Sequence, residues 1–100
     1  MRRASTPTHY FELPSEFQGE IDKVLVTYAQ NNEIVLEKKE QDLTFDGNVF
    51  YYTLTQEETN LFQDGVFVEI QIRVKTKDGI SVPSDIYKVN VQKVLNDEVL

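Results

Sequence analysis

The sequence predicts an all-β domain, an immunoglobulin-like Greek-key β-sandwich of about seven strands with one short helix at 55–62. Three observations carry that expectation. First, Val66–Thr76 places Val66, Val68, Ile70, Ile72 and Val74 at every second position, with Phe67, Glu69, Gln71, Arg73 and Lys75 between them. Successive strand side chains point to opposite faces, so this is a half-buried antiparallel strand with one β-branched face and one charged face. Second, turn signals separate the apolar runs at the short intervals of a sandwich, about 8–12 residues. Third, Thr55-Gln56-Glu57-Glu58 has the spacing of a capping box, in which a threonine and a glutamate each satisfy the other's backbone amide.

In chain order, residues 1–7 are small and polar apart from Arg2 and Arg3, and are expected as a flexible N-terminal arm. Thr8–Leu13 alternates, with His9, Phe11 and Leu13 on one face. Pro14 ends it because proline cannot donate to a ladder, and Ser15–Glu20 reads as a polar loop. In Ile21–Gln30, Val24, Val26 and Tyr28 share a face, and Leu25, Thr27 and Ala29 oppose them. Asn31-Asn32 is the turn, since asparagine tolerates positive φ. Glu33–Lys39 returns with Ile34 and Leu36 inward and a charged end. A hairpin spans Leu43 to Leu54 around Asp46-Gly47-Asn48. Thr55 caps a helix that Leu61 and Phe62 complete and Asp64-Gly65 stops. Lys77-Asp78-Gly79 turns the main strand, and Pro83-Ser84 interrupts the return. Asp85–Leu95 then pairs with 66–76, with Tyr87, Val89 and Val91 on one face. The organisation expected is thus an arm at 1–7, one sandwich domain at 8–95 and an acidic C-terminal tail at 96–100.

Composition narrows the classes of function. A 100-residue chain is one domain that needs no staples. It contains no cysteine, which excludes disulfide frameworks and thiolate metal sites. A net charge of −7 repels phosphate, so no nucleic acid is expected as partner. No apolar run approaches the ~18 residues of a spanning helix, and no signal-like apolar region opens the chain. A soluble protein with no membrane partner, not secreted by a cleaved signal, is the expectation.

Reactive constellations are equally sparse. His9 is the single histidine, and none of Ser5, Ser15, Ser81 and Ser84 sits in a nucleophile turn. The carboxylates lie in turns or on alternating outer faces, where they keep a sandwich in solution rather than form a glycosidase pair. Asp42, Asp46 and Asn48 offer hard oxygens, but the calcium-loop pattern with its terminal glutamate is missing. No catalytic residue, cofactor or metal is therefore expected. The aromatic residues carry more. Phe50, Tyr51 and Tyr52 are consecutive, so at least one ring points away from the core. Phe67 falls on the charged face of the main strand, and Leu25 opposes Val24 and Val26. Tyr51, Tyr52, Phe67, Leu25 and Val49 are the candidate interaction surface, because interface cores are rich in tyrosine and phenylalanine.

Three stretches carry a resemblance: Arg2-Arg3-Ala4-Ser5-Thr6-Pro7-Thr8, Val26-Thr27-Tyr28-Ala29-Gln30-Asn31, and Ser84-Asp85-Ile86-Tyr87 together with Val94-Leu95-Asn96-Asp97-Glu98. Through them the chain, over nearly its whole length, resembles a family of small uncharacterised proteins encoded in phages and prophages of gut Firmicutes. Members often open with Arg-Arg-Gly-Thr-Thr-Pro-Thr, and here Ala4-Ser5 stands in place of Gly-Thr. More loosely, 66–95 is similar to the immunoglobulin-like N-terminal domains of phage baseplate upper proteins. The resemblance implies a non-catalytic structural or tail/baseplate-associated protein, found in the virion or in the host cytoplasm during assembly. Its implied partners are other phage structural proteins. The apolar residues on outer faces and the unpaired edge strands add further copies of the chain as an expected partner. The alternative is a small β-sandwich binding module, carbohydrate-binding or inhibitor-like.

Overall fold

The computed structural model describes residues 1–13 and 21–100; the proline stop at 14 and the polar loop at 15–20 lie outside them. The described strands are β1 (Thr8–Glu12), β2 (Ile21–Gln30), β3 (Glu33–Lys39), β4 (Thr44–Asp46), β5 (Val49–Thr53), β6 (Val68–Thr76), β7 (Ser81–Pro83) and β8 (Tyr87–Val89), with helix α1 (Gln56–Thr59) between β5 and β6. They form two antiparallel sheets. One has the order β1-β5-β4. The other has the order β3-β2-β6-β7, with β8 also on β6. Consecutive strands thus change sheet between β1 and β2, β3 and β4, and β5 and β6, the pattern of a Greek-key sandwich.

The alternation read from the sequence sets the faces. Ile70 and Ile72 of β6 are buried with Val68 and Val74, and they meet Val24, Val26 and Tyr28 of β2. The opposite layer supplies Phe50, Tyr52, Leu54 and Leu13, and Phe62 and Val91 close the ends. Between the named faces of β6, Arg73 is exposed while Glu69 and Gln71 are partly covered.

Turn chemistry follows the residues. Asn31 and Asn32 both have positive φ, 53° and 63°, as the two central residues of a type I′ hairpin turn must. The β2–β3 ladder then slips between Tyr28 and Ala29. A bulge places one extra residue on one strand and turns the following side chains over. Ile34, expected inward, is therefore on the outer face and 63% exposed, while Leu36 remains partly buried against the core.

The capping box forms as expected. Thr55 Oγ1 accepts from the Glu58 amide at 3.1 Å, and Glu58 Oε1 accepts from the Thr55 amide at 3.0 Å. The helix is shorter than 55–62, ending at Thr59 with Asn60 as its C-cap. Phe62 is buried and Leu61 exposed beyond it. Buried Gln30 then holds the link into β6: its Nε2 donates to the Gln63 carbonyl and its Oε1 accepts from the Gln63 amide, both at 2.8 Å.

The main strand begins at Val68 rather than Val66, and its return is split. β7 pairs with Arg73–Lys75 and β8 with Val68–Ile70, so the expected 85–95 strand is only Tyr87–Val89. Ser84 bridges the break: its amide donates to the Ile72 carbonyl at 2.7 Å, and its Oγ accepts from the Ile72 amide at 2.9 Å.

Both the arm at 1–7 and the acidic tail at 96–100 make specific contacts. Arg2 pairs with Gln92 in a parallel bridge, and Arg3 forms an ion pair with Asp97 at 3.0 Å. Thr59 Oγ1 donates to the Ser5 carbonyl and accepts from its amide. Gln56 exchanges two hydrogen bonds with the backbone of Leu100. Polar side chains near the ends thus find backbone partners, which composition alone does not reveal.

Candidate contact surfaces

The five residues expected to form one surface are distributed over different parts of the domain. Tyr52 is a correction: it is 5% exposed, because period 2 along β5 sends Phe50 and Tyr52 inward together and leaves Val49 and Tyr51 outside. Its phenol is not wasted there. The Tyr52 and Tyr28 hydroxyls hydrogen-bond across the two sheets, and Tyr28 is in turn bonded to His9 Nδ1 at 2.7 Å. Burial, and next the neighbouring Tyr52, push the Tyr28 phenol far above its ordinary value; burial also pushes Tyr52 up. Burial likewise holds the His9 imidazole below its usual range. All three stay neutral near pH 7, the form in which a buried chain of donors and acceptors is satisfied.

Beside this chain, Lys38 Nζ pairs with Glu58 Oε2 at 2.5 Å and lies 5.9 Å from the Tyr52 ring centroid. Burial raises the Glu58 carboxyl, but Lys38 and the Thr55 amide outweigh it and hold the group below the usual carboxylate value. Each member is already bonded to another, so the cluster acts as a clamp between the layers.

Tyr51 and Val49 lie on the outer face of the smaller sheet, and Leu25 on the outer face of the larger one. Phe67, 57% exposed, precedes β6. Strand register arranges the outer faces in cross-strand rows. On the smaller sheet these are Thr8–Thr53, Tyr10–Tyr51–Thr44 and Glu12–Val49–Asp46. The Tyr10 and Tyr51 rings stand 5.3 Å apart. On the larger sheet the rows are Ser81–Lys75–Lys23, Pro83–Arg73–Leu25–Lys39 and Gln71–Thr27–Glu37. Leu25 is half-buried between flanking cations.

A further surface went unread in the sequence. Ile80, Val82, Ile86 and Tyr87 are all exposed, from 39% to 56%, along the edge formed by β7 and β8. Among the described residues no strand covers the far side of that edge before Asn90, where residues 1–3 take it up. Behind Val82 and Tyr87 an apolar crevice of about 100 Å³ reaches Leu13, Phe50, Ile72 and Val74 between the sheets. Pro83-Ser84 was the available signal, because an interrupted return leaves its edge ragged.

Among the described residues, no helix is long and apolar enough to cross a membrane, and no group of three or more histidines and carboxylates could hold a metal ion. No protein-family model matches the chain, and no match was found among curated proteins or solved structures.

Proposed function

We propose that this protein is a non-catalytic docking component that acts through protein–protein contacts, as a structural or tail/baseplate-associated protein of a phage or prophage. The phage class rests on the resemblance of the three stretches named above. The docking role rests on one structural observation, the apolar β7–β8 edge. Exposed edge amides are a template for another chain, and β-augmentation is a common way for β domains to bind extended segments. Here the edge is lined by Val82 and Tyr87 and backed by a crevice that an apolar side chain can enter. The work is done in the virion or in the host cytoplasm during assembly, with no cofactor, nucleic acid or membrane.

A carbohydrate-binding module is the second reading, favoured by the paired Tyr10 and Tyr51 rings. That pair lies on an open sheet face, whereas a sugar site needs aromatic rings lining a concave groove.

The test is sedimentation of the purified protein with the structural proteins encoded beside it. Complex formation, lost on Val82→Lys and Tyr87→Lys, is the expected result. A protein that binds none of them, but binds a polysaccharide through Tyr10, contradicts it.

A further inference from the structure

The larger sheet's outer face carries a row in which Leu25 sits between Arg73 and Lys39, with Lys75 and Lys23 in the next row. The smaller sheet's outer face carries a row in which Val49 sits between Glu12 and Asp46. Each row therefore has an apolar centre flanked by two charges, of opposite sign on the two faces. Strands within both sheets are spaced by the same ~4.8 Å, so the flanking charges stand about equally far apart. The strands β1, β4 and β5 contain no lysine or arginine at all. The cross-strand neighbours Lys23 and Lys75 repel each other in an isolated copy. Two carboxylates border this basic row, Glu37 on the same face of β3 and Glu40, which accepts from the Val24 amide and lies near Lys23 and Lys39. On the acidic row Glu12 accepts one bond from Asn48 at 3.4 Å.

We propose that copies of this chain stack head to tail, the smaller sheet of one on the larger sheet of the next. Val49 meets Leu25, and Glu12 and Asp46 meet the cations Arg73 and Lys39. The exposed Tyr10 ring and the half-buried Tyr51 ring add faces against which Arg73 or Lys75 can lie. Because the two surfaces are on opposite sides of the sandwich, the contact is heterologous and repeats, growing a ring or a filament rather than a closed two-fold dimer. The inference rests on the reading that the protein acts through contacts, and it names a second copy as one partner.

Two charge-reversed proteins test it. One carries Arg73→Glu and Lys39→Glu and keeps the acidic face. The other carries Glu12→Lys and Asp46→Lys and keeps the basic face. In sedimentation velocity the native chain should show concentration-dependent assemblies beyond a dimer. These should weaken about tenfold or more between ~0.1 M and ~1 M salt, where the Debye length falls from ~10 to ~3 Å. Each variant alone should be monomeric. Their mixture should again assemble beyond a dimer, with the two variants alternating, since the native pair of faces and the charge-swapped pair are both complementary. A mixture that stays monomeric, or a native dimer indifferent to salt, overturns the proposal. If a variant fails to fold by circular dichroism, the native salt series decides. A native chain that is monomeric at low salt yet binds a neighbouring structural protein overturns the stacking and leaves the docking reading intact.

Discussion

Ala4 occupies a conformation that suits glycine. Its φ is 59°, in the left-handed region where a Cβ crowds the following carbonyl and costs about 1–2 kcal/mol. Ala4→Gly should therefore stabilise the protein by about 1 kcal/mol, less the extra chain entropy of glycine, as read from urea midpoints. The His9–Tyr28–Tyr52 chain makes the opposite kind of prediction. Tyr28→Phe removes the hydroxyl that joins the other two and leaves buried polar atoms unpaired, at a cost of about 1–3 kcal/mol. Its pH dependence has a definite sign. The folded His9 pKa is depressed from 6.5, so the unfolded chain binds more protons as pH falls below 6.5, and stability drops with it. Glu58, depressed from 4.5, adds a second loss as pH falls below that value. His9→Gln should abolish the upper stage of acid destabilisation in thermal melts and leave the lower one.

At the level of single elements, what was legible depended on how local the signal is. The alternation in 66–76, the Asn31-Asn32 turn and the capping box each need only a few neighbouring residues, and each formed. Ile70→Ala or Ile72→Ala should cost about 2–5 kcal/mol through lost transfer energy and a cavity, and Thr55→Ala about 0.5–2 kcal/mol. The bulge after Tyr28 was not legible, because it is a property of two strands in register. Ile34, which alternation sends inward, consequently sits outside. Ile34→Thr should shift stability by no more than about 0.5 kcal/mol, as for other surface changes. The same limit explains the contact surfaces. That one of Tyr51 and Tyr52 must face out follows from consecutive numbering, but which one depends on the layer opposite. The rows that place Leu25 among cations and Val49 among carboxylates join residues far apart in the chain, and only pairing shows them. The split between β7 and β8 was signalled by Pro83-Ser84. Its repair by the Ser84 hydroxyl was not, and Ser84→Ala should cost about 1–3 kcal/mol by orphaning the Ile72 amide.

Taken whole, the domain is a two-layer sandwich clamped by Tyr28 and Tyr52, with its N- and C-terminal segments fastened together along one side. Arg2 beside Gln92 and Arg3 beside Asp97 cover the continuation of the β8 edge. The stretch 80–89 is left as the uncovered part of that side among the described residues. In the proposed reading its apolar lining accepts an extended segment, and the outer faces meet further copies of the chain. The most direct test of docking is amide hydrogen exchange of the protein alone and mixed with the structural partners proposed for it. Strand addition predicts marked slowing on mixing at Ser81 and Lys88, whose amides face away from β6, with the amides of β2, already in the middle of its sheet, unchanged. A complex that forms while the amides of β7 and β8 exchange as fast as in the free protein would contradict the account.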